Sequence, residues 1–158
     1  MTTKQSKAFD LSILDTVAGG DEGFDLELKH PVTGEELGMV IHLIGGDSAE
    51  WGRIDRARRN KRLDKLQKSG RLKNITQVTE ENERESIHDL ATASRSWKTK
   101  AVMDDKGNII DPEKKTLLFG GKEYEHTTEN AIYLFGRLPW MKEQVDIAIG
   151  DRANFIKG

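Results

Sequence analysis

Four histidines, scattered serines, three glycine pairs and one dense run of cations are the residues of this chain whose types could carry chemistry. His30, His42, His88 and His126 lie far apart, and none has a histidine or carboxylate at helical ligand spacing on a convincing face. A zinc site needs three or four converging ligands, so no metal is read here. Asp104-Asp105-Lys106-Gly107-Asn108 resembles the start of a calcium loop but lacks its alternating oxygen ligands and its closing glutamate. A hairpin turn is the better reading. Gly19-Gly20, Gly45-Gly46 and Gly120-Gly121 do not continue into the Gly-Lys-Ser/Thr pattern that cradles phosphate. Gly45-Gly46 precedes a helix start, where an anion is favoured, but Asp47 and Glu50 already occupy that end. The serines form no nucleophile elbow. With no cysteine, a thiol nucleophile, a disulfide framework and thiolate zinc sites are excluded. The expectation is a chain that is not an enzyme and holds no cofactor.

The cations are unevenly placed. Residues 1–52 carry a net charge of −7, residues 53–73 of +8 and residues 74–158 of −3. The basic block is Arg53, Arg56, Arg58, Arg59, Lys61, Arg62, Lys65, Lys68, Arg71 and Lys73, against Asp55 and Asp64. An acidic run follows it: Glu80, Glu81, Glu83, Glu85 and Asp89, diluted by Arg84. Such a basic run can track a phosphate backbone, with Trp51 as a stacking platform. Adjacent blocks of opposite sign can instead pair, within a chain or between copies. A nucleic-acid binder gains from a basic face left unopposed, and the total charge is only −2. Arg53, Arg56, Arg58, Arg59, Arg62 and Lys65, with Glu80, Glu81, Glu83 and Glu85, are therefore candidates for a charged interface.

These residues must be positioned by one domain. The chain has 158 residues and a mass of 17.8 kDa, the size of a single domain that buries a true core. It is 35% hydrophobic and 33% charged, with a mean hydropathy of −0.65, so part of it is exposed helix or tail. No apolar run is long enough for a membrane-spanning helix, and Met1 to Gln5 offers no apolar segment of a secretory signal.

Residues 1–23 read as a flexible arm, with one cluster of Phe9, Leu11, Ile13 and Leu14 before a glycine-rich hinge at 18–23. Phe24, Leu26 and Leu28 alternate with Asp25, Glu27 and Lys29, the period of a half-buried strand. His30 to Gly34 supplies turn residues, and Met39 to Ile44 a second strand. Asp47 and Glu50 fit a capping box for a helix running to about Lys68. Its apolar residues fall only at its ends, Trp51 and Ile54, then Leu63 and Leu66. A second helix is expected from Thr79 to about Trp97, with Ile87, Leu90, Ala91 and Trp97 on one face. The two form a charged pair projecting from the domain near 48–97. A hairpin follows over 101–110, then a short strand at Leu117 to Phe119. Thr127 or Thr128 caps a short helix, and Pro139 starts a last one reaching Phe155. The fold class is α+β: an N-terminal β-hairpin, two charged central helices, a second short hairpin and C-terminal helices, with 24–158 as one domain.

Glu129 to Asp146, containing Leu138-Pro139-Trp140, and then Asp151-Arg152-Ala153-Asn154-Phe155, resemble the C-terminal part of tail-assembly chaperones of tailed bacteriophages. His30-Pro31-Val32-Thr33-Gly34-Glu35 before an apolar strand is similar to the N-terminal hairpin of related small phage proteins. About a third of the chain is covered, and the motif is not catalytic. The resemblance implies a protein of the host bacterial cytoplasm that coats the long helical tape-measure protein until tail-tube subunits displace it. Many weak apolar contacts and self-association would carry that task. On that footing Trp140, Met141 and Ile147 are the client-binding candidates, against the alternative that Trp140 and Met141 are ordinary core. Two other functions stay open: a nucleic-acid-binding accessory protein using the basic helix 53–73, and a structural component of the virion tail.

Overall fold

The structure, a computed structural model, describes residues 8–69 and 75–156, with the side chains at 62, 65–69 and 75–81 outside the described set. Along the chain run α1 (Thr16–Glu22), β1 (Phe24–Lys29), β2 (Glu36–Leu43), α2 (Ala49–Ser69), α3 (Ile75–Ala93) and β3 (Ser94–Thr99). Then come β4 (Val102–Met103), β5 (Ile109–Asp111), β6 (Thr116–Phe119), β7 (Lys122–Glu125), α4 (Thr128–Arg137) and α5 (Pro139–Gly150). Short 3-10 turns lie at Leu11–Leu14 and Arg152–Phe155. The class is α+β.

The central sheet has the order β1-β2-β3, all antiparallel. Alternation on β1 and β2 places Leu26 opposite Ile41, and Ile41 opposite Trp97 on β3. This apolar face packs against α3, α4 and α5, whose Leu90, Ala131, Leu134, Phe135, Met141 and Val145 complete a single core. Asp25 and His42, cross-strand partners, hydrogen-bond through Oδ1 and Nδ1 at 2.7 Å, while His42 Nε2 reaches the Glu22 carbonyl. Gly23, at φ +93°, makes room for that ring, since a Cβ there would lie 2.4 Å from Nε2.

Several elements depart from the sequence reading. The second helix ends at Ala93, and Trp97 sits on a strand. Ser94 Oγ donates to the Ala91 carbonyl at 2.7 Å as the helix closes, and Trp97 turns its ring into the core with Nε1 donating to the Tyr124 carbonyl. β7 pairs with β6 across Gly120-Gly121, both at positive φ, the geometry of a tight two-residue turn. The last helix stops at Gly150, and the separate turn over Arg152–Phe155 carries Phe155 back into the fold. The hinge at Gly19-Gly20 is instead a buried stretch of α1. A Cβ on Gly19 would fall 1.7 Å from the Phe155 carbonyl oxygen, so the glycine serves close packing rather than freedom. Finally, the expected capping box is replaced. Ser48 Oγ accepts from the Trp51 amide and Asp21 Oδ1 from the Ala49 amide, while Asp47 turns away to Thr16 and Arg152.

Other expectations hold as drawn. Asp104 Oδ1 accepts from the amides of Lys106 and Asn108, so the acidic stretch is a hairpin turn between β4 and β5. Thr127 caps α4 through the Asn130 amide, and Pro139 takes the first turn of α5.

Candidate functional site

The charged residues singled out above lie on two neighbouring helices. Arg53 pairs with Glu50 at 3.3 Å and Arg59 with Asp55 at 2.6 Å, both within α2. Arg58 donates from Nε to Asp89 Oδ2 at 2.6 Å, and Lys61 lies 3.9 Å from Glu85. These last two bonds cross from α2 to α3, and their order shows the helices running antiparallel. Arg95 on β3 reaches back to Glu50 at 3.2 Å and, with Arg53, holds that carboxyl below its ordinary range. Arg56 and Glu83 are exposed. Arg62 and Lys65 belong to α2, and Glu80 and Glu81 to α3, but their side chains lie outside the described residues. The opposite-charge blocks thus pair within one chain at Arg58–Asp89 and Lys61–Glu85, one of the two arrangements that their adjacency allows.

Between α2 and α3 opens a cleft of about 450 Å³. Ile54, Ala57 and Thr92 line it, beside the two crossing ion pairs and the exposed side chains of Arg84 and His88. Among the charged residues that line the cleft, Arg58 and Lys61 face Asp89 and Glu85, while Arg84 has no ion-pair partner among the described residues.

The client-binding candidates separate sharply. Met141 is 2% exposed and belongs to the core. Trp140 is half-buried and packs against that core. Only Ile147, 63% exposed, offers a free apolar side chain. The motif that carries the resemblance is likewise structural in its placement. Pro139 starts α5, Asp151 caps the final turn, Arg152 binds Asp47, and Phe155 is buried.

One apolar surface was not anticipated. Val102, Met103, Ile109 and Ile110 on the β4–β5 hairpin are between 52% and 67% exposed. Each strand holds two adjacent apolar residues rather than an alternation, so both faces of a two-stranded ribbon are apolar. That doubling was the available signal, since a hairpin covering a core alternates. A two-stranded hairpin is marginal alone in water and gains from a cover.

Compared with family models, curated proteins and solved structures, the chain matches none.

Ser94 and His126 form the pairing nearest to a nucleophile and base, with Oγ 3.0 Å from Nε2. The Ser94 hydroxyl also lies 2.7 Å from the Ala91 carbonyl, to which it donates, and the tautomer of His126 sets whether Nε2 donates to Oγ or accepts from it. Burial pushes the His126 pKa down, and its ring stands edge-on to Trp97 at 4.8 Å. The pair fastens the start of β3 to the loop before α4. Among the described residues no group of three His, Asp or Glu converges to hold a metal ion, and no helix is long and apolar enough to cross a membrane.

Proposed function

We propose that this chain is a non-catalytic protein-binding domain, a tail-assembly chaperone of a tailed phage acting in the host cytoplasm. Its client is the apolar stripe of the tape-measure protein, and tail-tube subunits displace it during assembly. The exposed β4–β5 hairpin carries this reading. Four large apolar side chains stand in water beside a core that is already complete without them. An exposed apolar patch of this kind favours a protein partner, and an amphipathic helix is the partner whose stripe fits a narrow ribbon. The resemblance over 129–155 supplies the identity of that helix. Ile147 is the one original contact candidate on an open surface, so it joins the hairpin as a contact residue.

The ion pairing of the basic helix weighs against the nucleic-acid alternative. Arg53, Arg58, Arg59 and Lys61 each face a carboxylate of the same chain, and phosphate would have to displace those partners.

Co-expression with the longest helical protein encoded nearby, followed by a moderate-salt wash, tests the reading. The expected result is a soluble complex holding several copies of this chain, lost in Met103→Asp/Ile109→Asp. No complex, with nucleic acid co-purifying at low salt and shed at moderate salt, overturns it.

A further inference from the structure

We propose that the cleft between α2 and α3 receives residues 9–15 of a second copy of this chain. The inference concerns self-association and stands apart from the identity of any client. The cleft joins an apolar floor, Ile54 and Ala57, to walls where Arg58–Asp89 and Lys61–Glu85 neutralise each other. What charge remains at its opening is positive, from Arg84, with His88 beside it. A fitting occupant is therefore apolar, short and negatively charged.

The chain itself contains such a segment. In Phe9-Asp10-Leu11-Ser12-Ile13-Leu14-Asp15 the apolar side chains are 46% to 74% exposed, and the only charges are two carboxylates. None of these residues lines the cleft of its own copy. The segment is held away from it at both ends of a local turn. Asp10 caps the turn through the Ser12 amide, and Asp15 caps α1 through the amides of Val17 and Ala18. Thr16 then fastens the chain to Asp47, ahead of the first turn of α2. Two complementary surfaces fixed apart on one molecule meet only between molecules. Because the surfaces differ, the contact is head-to-tail, and repetition gives a ring or an open chain.

Sedimentation equilibrium of the full chain across a concentration series tests this. The expected mass rises above the monomer with concentration, and Leu11→Asp and Arg84→Glu each weaken association by about tenfold or more. Both side chains are exposed, so thermal melting of the variants checks that folding is intact. Asp10→Arg weakens association by itself and restores it when combined with Arg84→Glu. A monomer at every concentration, association unmoved by these variants, or no recovery in the double variant overturns the proposal. A monomer whose complex with the helical client is lost in Arg84→Glu overturns it as well and gives the cleft to the client.

Discussion

Arg152 grips Asp47 with two hydrogen bonds, Nε to Oδ2 at 2.6 Å and Nη2 to Oδ1 at 3.2 Å, across 105 positions of sequence. Thr16 Oγ1 donates to the same Oδ2 at 2.7 Å. One carboxylate thus joins α1, the loop entering α2 and the last turn of the fold. Its acidity follows: the Arg152 bonds first, then the Thr16 hydroxyl, hold the Asp47 carboxyl below the usual carboxylate range.

A folded pKa below the unfolded one adds stability that is present above the unfolded value, about 3.9 for aspartate, and lost as pH falls through the folded value. Asp47→Asn is therefore expected to be less stable than the parent at pH 6 and to converge with it at the acid end. Urea denaturation midpoints from pH 6 to pH 2 check this; parallel curves refute it.

His126 gives a second pH effect in a higher window. Burial lowers its folded pKa, so the unfolded chain takes up the proton first as pH drops below about 6.5. Stability at pH 7 is expected to decline toward pH 5, and His126→Gln to flatten that decline. Thermal melts in matched buffers read the difference.

Glycines at two positions should respond with opposite sign. Gly19→Ala drives a methyl into the Phe155 backbone and is expected to cost about 3 kcal/mol. Gly136, inside α4 with nothing within 4 Å of a new Cβ, is expected to gain about 0.5–1 kcal/mol as alanine. Chemical denaturation of both variants decides it, and equal signs would refute the packing role of Gly19.

Core and surface can be told apart on one helix. Met141→Ala is expected to lose about 2–5 kcal/mol, because the side chain is enclosed. Ile147→Ala should stay within about 0.5 kcal/mol while weakening client capture. A stable Met141→Ala that fails only in binding would return Met141 to the contact surface.

Where local pattern and tertiary role agree, the sequence was readable. Phe24, Leu26 and Leu28 alternate because one face of β1 is buried, and Pro139 marks a helix start because its ring fits only there. Trp97 misled because it stands seven residues after Leu90, a helical repeat, with no glycine or proline to announce the switch into β3. β7 was silent, since Lys122, Glu123 and Glu125 give no apolar period around Tyr124. Gly19-Gly20 reads alike as a hinge or as a close contact, and only the distant Phe155 decides. Of the proposed site, the charge blocks were legible, but their partners were not. Asp89 lies 31 positions from Arg58, and composition cannot say whether such a pair closes within one molecule.

Gln144 lies on α5 and bonds twice to the outer strand β1, accepting from the Lys29 amide and donating to the Lys29 carbonyl. Those are the two groups another strand would need at that register. A side chain thus stands in for the next strand at the Lys29 end of β1. A strand approaching β1 at Lys29 therefore finds both backbone groups already taken. That end of the strand is shut to strand-on-strand growth by one side-chain amide that imitates a peptide group.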